Sequence, residues 1–136
     1  MPEGPQLISR LARPLLAASF VAGGYGVLRE PGPLPELARQ HGIPLPEAAT
    51  RATATGMVVG GLALGSGVAP VLGGGALIAC LVPTTLTVHA FWRQSDPARR
   101  RMQRNEFFKN VSLLGGLAIA AAASSRRSLP GGGDGA

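Results

Sequence analysis

Residues 52–92 read ATATGMVVGGLALGSGVAPVLGGGALIACLVPTTLTVHAFW. These 41 residues contain no Asp, Glu, Lys or Arg. A soluble helix or strand keeps one face in water and rarely runs so far without a charge. A membrane helix needs about 20 apolar residues to cross a hydrocarbon core of about 30 Å. The stretch therefore fits two crossings and a tight turn. Pro70 lies near its middle, with Gly65, Gly67, Gly73, Gly74 and Gly75 around it, and Pro and Gly are the residues that punctuate such a turn. The reading is a helical hairpin, down to about Val68 and back from about Val71.

Two more uncharged runs flank the hairpin. Pro14–Leu28 reads PLLAASFVAGGYGVL, and Leu7, Ile8, Leu11 and Ala12 lengthen it. Arg10 and Arg13 are then expected at headgroup level, snorkelling toward water. Asn110–Ser125 reads NVSLLGGLAIAAAASS, with Phe107 and Phe108 before it and Arg126 and Arg127 after it. In lipid every backbone polar group needs an internal partner, so helices are the form expected at these lengths. The fold class read from the sequence is all-α: a single four-helix integral membrane bundle over residues 1–127. Its helices are expected near 8–28, 50–68, 71–92 and 105–124, with a Pro-rich first loop, a basic third loop and a flexible tail over 128–136. Basic residues before the first run also fit a secretory signal peptide. No clear A-x-A cleavage site follows the run, and three further apolar runs come after it, so it is read as a retained helix.

The whole-chain figures agree with this division. The chain has 136 residues, of which only 15% are charged, against roughly 25% in soluble domains. One cysteine excludes a disulfide scaffold and a dithiol relay within the chain. Cys80 reads as a small core residue. His41 lies in the first loop and His89 in a crossing, which makes a bis-histidine haem site improbable on spacing. No cluster has the spacing of metal ligands, and no glycine-rich phosphate loop is present.

The first loop carries Pro31, Pro33, Pro35, Pro44 and Pro46. A short helix is expected from Pro35 to Gln40, stopping at Gly42, and Pro46-Glu47 is a good opening for the next crossing. In the third loop, Asp96-Pro97 reads as a cap and first helical position. Arg99, Arg100, Arg101 and Arg104 follow at helical spacing. Without interleaved aromatic residues to stack on bases, they read as a contact for anionic lipid or a partner rather than for nucleic acid. Nine of the 13 Lys and Arg residues sit on the first and third connections and four at the opposite end. The distribution of Lys and Arg orients membrane proteins, so those two connections are expected in the cytoplasm.

Gly56-x-x-x-Gly60 and Gly61-x-x-x-Gly65 give the second crossing small faces for close helix packing, expected within one monomer. Pro83 is expected to kink the third, with Thr84, Thr85 and Thr87 satisfying local carbonyls. One end of the last two helices gathers the groups with chemistry. His89 and Trp92 end one helix, and Glu106 and Asn110 begin the next. If the helices are antiparallel, these four meet at one depth and form a candidate ligand pocket. His89 can donate, accept and titrate near neutral pH, and its structural reading is a hydrogen bond to backbone or to Asn110.

These pieces resemble the DoxX family of small four-helix integral membrane proteins. The matching segments are Arg13-Pro14-Leu15-Leu16 with Phe20-Val21-x-Gly23-Gly24, then Leu81-Val82-Pro83-Thr84-Thr85. They continue in His89-x-Phe91-Trp92 leading to Asp96-Pro97, and in Phe108-Lys109-Asn110-x-Ser112-Leu113-Leu114-Gly115-Gly116. The resemblance covers roughly residues 8–123. It implies a bacterial inner-membrane protein, a membrane subunit or accessory protein more than a stand-alone enzyme, with a redox or quinone-linked role. No cofactor is evident from the residues; a quinone is the one the resemblance suggests. A non-catalytic scaffold recruiting partners or anionic lipid is the alternative. A small transporter is a further one, though no paired intramembrane acids or inverted repeat are visible.

Overall fold

A computed structural model describes residues 3–128. The expected tail over 128–136 lies outside the described residues, apart from Ser128. The described chain is helical, without strands: α1 (Glu3–Arg29), α2 (Leu34–Gln40), α3 (Pro46–Ser66), α4 (Pro70–Val88), a 3-10 turn (Phe91–Arg93) and α5 (Pro97–Ser128). Among the described residues, three segments are long and apolar enough to cross a membrane: Gln6–Arg29, Pro70–Arg93 and Pro97–Arg126. The remaining long helix, α3, is more polar, because Glu47, Thr50, Arg51, Thr53 and Thr55 occupy its first half.

Prolines and glycines set the boundaries. Pro46 and Pro70 each stand in the first turn of a helix, where the missing N–H would be unpaired anyway. Gly67 closes α3 in the left-handed conformation (φ 77°), and its N–H bonds back to the Leu64 carbonyl at 3.2 Å, a C-terminal cap that favours glycine. Asp96 accepts the Arg99 N–H through its side chain at 2.8 Å and so caps α5 ahead of Pro97. The helix then runs unbroken from that cap through the arginines and the apolar segment to Ser128.

The long helices pack in the order α1, α3, α4, α5, with α3 in contact with α1 on one side and α4 on the other. The two GxxxG patterns serve these two neighbours separately. A Cβ on Gly60 would lie 3.2 Å from the Gly73 carbonyl oxygen, and one on Gly56 would lie 3.0 Å from Cys80 Sγ, both on α4. A Cβ on Gly61 would meet Val21 and one on Gly65 would meet Ala17, both on α1. Small residues here let backbones approach within the monomer. The core where the helices meet is Phe20, Leu64, Leu77, Leu81 and Leu117. Leu7, Ile8, Leu11, Leu15, Val59, Leu72 and Ile119 remain exposed. So large an apolar surface is out of place in water and fits contact with lipid.

The hydroxyls around Pro83 act locally. Thr84 donates to the Cys80 carbonyl, Thr85 to Leu81 and Thr87 to Pro83, at 2.7–2.8 Å. These bonds occupy carbonyls in the region where proline has removed a backbone donor.

Candidate functional site

Helix α4 releases its backbone after Val88, and His89 N–H returns to the Thr85 carbonyl. The chain then makes its 3-10 turn so that Phe91 packs edge-on against Trp92 and Phe107, with ring centroids 5.3 and 5.4 Å apart. Phe108 lies against Phe107 at 5.5 Å. This aromatic group joins the end of α4 to the start of α5 and contributes more than its buried area alone.

Two polar contacts tie the same helices together. Asn110 on α5 is only 6% exposed and donates Nδ2 to Thr85 Oγ1 at 3.1 Å. Two turns earlier on α5, Gln103 Oε1 lies 2.7 Å from His89 Nδ1. The early end of α4 puts His89 level with Gln103, so its cross-helix partner is Gln103 rather than Asn110.

The four residues picked out in the sequence do gather at this end of α4 and α5, but in three settings. Asn110 is a buried cross-link to Thr85. Trp92 is about half exposed (48%) within the aromatic group. Glu106 is half-buried and paired with Lys109. His89 alone of the four lines a cavity of about 300 Å³ bounded by α1, α2, α3 and α4. Arg99, Arg100, Arg101 and Arg104 are all exposed along the first turns of α5.

The cavity is largely apolar. Val27 comes from α1, Leu37 from α2, Met57 from α3 and Val88 from α4. Pro83, Thr84 and Thr87 also line it, so the α4 proline stands on a cavity wall. The Thr50 hydroxyl hydrogen goes to the Pro46 carbonyl, and those of Thr84 and Thr87 go to carbonyls of α4, leaving oxygen lone pairs as acceptors. Thr53, which lines the cavity too, makes no side-chain hydrogen bond among the described residues.

Helix α2 forms one wall of the cavity and is tied to its neighbours at its C-terminal end. Arg39 pairs with Glu36 on its own helix and reaches Glu47 on α3 at 2.8 Å. His41 Nδ1 lies 2.8 Å from the Leu37 carbonyl. A carbonyl only accepts, so Nδ1 carries the proton and Nε2 accepts from Arg93 Nη1 at 2.9 Å. This places the 3-10 turn against the end of α2. The sequence pointed to none of Thr53, Met57 or Leu37 as cavity residues; the one available signal was Pro83 with its threonines.

No group of three or more His, Cys, Asp or Glu able to hold a metal ion occurs among the described residues. In comparison with known proteins, the DoxX family profile matches residues 8–90. No curated protein and no solved structure matches the chain.

Proposed function

We propose that this chain, which belongs to the DoxX family of membrane proteins, is the membrane component of a redox complex and takes a quinone ring in the cavity beneath α2. The observation that carries this reading is that cavity, apolar on most of its wall, with Thr53 and His89 as its polar points. Ligand sites typically combine a mostly apolar wall with a few placed polar groups. The residues suit a quinone head: flat apolar surfaces for the ring, and groups able to exchange hydrogen bonds with its two oxygens. A bound quinone supplies two-electron carrier chemistry, the electrons coming from a redox centre of a partner protein.

His89 holds or moves a proton at the imidazole, and Gln103 governs which nitrogen carries it. With the Gln103 oxygen facing Nδ1, that nitrogen keeps the proton and Nε2 accepts from a quinol hydroxyl. With the amide turned over, Nε2 carries the proton and donates to a quinone carbonyl. Thr53 supplies a second donor. Arg99, Arg100, Arg101 and Arg104 contact anionic lipid or an acidic partner at the same end. The excess of Lys and Arg there supports a cytoplasmic place for the first and third connections in a bacterial inner membrane.

The test is titration of the purified chain in nanodiscs with a short-chain benzoquinone, read by fluorescence of its single tryptophan. Saturable binding is expected, weakened at least about tenfold by Thr53→Phe, which fills the cavity, and lessened by His89→Ala, each step of tenfold being about 1.4 kcal/mol. Saturable binding left unchanged by both substitutions overturns this site.

A further inference from the structure

We propose that the groove between the first half of α1 and the last half of α5 is a site for one anionic phospholipid, with its phosphate at Arg13 and an acyl chain along the groove. The site is separate from the cavity beneath α2 and lies at the opposite end of the bundle. Here α1 and α5, in contact at Leu16 and Gly116, flank an open cavity of about 340 Å³. Its walls include Ile8, Ala12 and Leu16 on α1, and Ile119 and Ala123 on α5. From Ile8 to Leu16 the helix rises about 12 Å, which gives the groove the length and apolar lining of an acyl-chain slot.

Arg13 gives the groove its polarity. Its guanidinium lies over the α3–α4 turn, where a Cβ on Gly67 would stand 3.1 Å from both terminal nitrogens. That turn ends α3, whose last carbonyls carry partial negative charge, so the cation is drawn to the turn, beside the groove it lines. Its Nε is buried and has no hydrogen-bond partner among the described residues. An unpaired donor on a cation is costly; Nε itself is closed off by the chain, so an acceptor from outside would meet the terminal nitrogens, which also make no hydrogen bond among the described residues. Arg10, one turn away on α1, and Arg126, near the end of α5, are exposed at the same end. Positive charge beside a long apolar slot selects an anionic headgroup with a chain attached. Free phosphate meets only the charge, and a zwitterionic lipid brings its own cation to the arginines.

The test is delipidation of the full chain into phosphatidylcholine nanodiscs, followed by addition of phosphatidylglycerol or inorganic phosphate. The readouts are bound lipid per chain by native mass spectrometry and thermal unfolding. One retained phosphatidylglycerol per chain is expected, with a raised unfolding temperature and no effect of inorganic phosphate. Ala123→Leu fills the slot without touching the charge; it should weaken retention about tenfold and leave unfolding in phosphatidylcholine unchanged. Arg13→Gln should abolish the preference for the anionic lipid. Equal retention of both lipids, no retained lipid, an equal response to inorganic phosphate, or parental retention by Ala123→Leu would each overturn the proposal, even if Arg13→Gln fails to fold.

Discussion

Replacing glycines of α3 and α4 with alanine tests whether the small faces pack helices inside one chain. A Cβ added at Gly73 would lie 2.6 Å from the Gly60 carbonyl oxygen and 2.7 Å from the Leu64 amide nitrogen. Both are backbone atoms of α3, so no rotamer change relieves the clash and the two helices must separate. Overpacking of this kind costs about 1–3 kcal/mol. At Gly60 the added carbon would meet Gly73 O and Leu77 Cγ at 3.2 Å. A few tenths of an ångström of yield suffice there, so the cost falls toward the lower end of that range. At Gly75 an added Cβ meets nothing within 4 Å, and the change should stay within about 0.5 kcal/mol of the parent. The expected order of destabilisation is Gly73→Ala, then Gly60→Ala, then Gly75→Ala. Equilibrium unfolding in mixed micelles of mild detergent and dodecyl sulfate measures it, alongside oligomeric state by light scattering. Equal stability of the Gly73 and Gly75 variants would refute the packing argument. So would a Gly73 variant whose only change is dissociation of a dimer.

A double-mutant cycle of Asn110→Ala and Thr85→Ala should give a coupling of about 0.6 kcal/mol and no more than about 1.7, the range measured for hydrogen bonds between membrane helices. Zero coupling would mean that the bond from Asn110 to Thr85 is not made. Arg39→Ala should change stability by less than about 1 kcal/mol, because its pairs with Glu36 and Glu47 are exposed. Leu37→Ala should instead raise hydrogen exchange through α2, since the apolar wall of the cavity holds that helix; slower loosening by Leu37→Ala than by Arg39→Ala would reverse this assignment. Neutralising Arg99, Arg100 and Arg101 together should leave folding intact and reduce association with anionic vesicles, read by flotation, with the loss shrinking as salt is raised.

The all-helical membrane fold was legible because the bilayer writes a one-dimensional signal. Residues 52–92 lack charge, Pro70 and its glycines interrupt them, and Gly67 supplies the cap that the turn needs. The helix start read at Asp96-Pro97 is where α5 begins; nothing among the arginines that follow breaks a helix, so it runs straight into the crossing expected near residues 105–124 as one helix. The end of α4 at Val88 has no breaker in the sequence; the turn after it goes with packing of Phe91 on Phe107, a contact between distant positions. That early end decides the neighbours of His89, which is why Gln103 was not visible as its partner. The cavity was hidden for a similar reason. It forms only where the seven residues of α2 fold back across α1, α3 and α4, and no periodicity reports where a short loop helix comes to rest. Pro83 and its threonines were the part of that wall a sequence could display, because the proline marks its place locally.

Photo-crosslinking with an azidoquinone in native membranes, followed by peptide mass spectrometry, reads out whether the cavity beneath α2 takes a quinone head. Label is expected on the wall formed by Thr53, Met57, Thr87 and His89, competed away by unmodified quinone and lost in Thr53→Phe. Label confined to the α1–α5 groove, or label on that wall that unmodified quinone fails to displace, would contradict it.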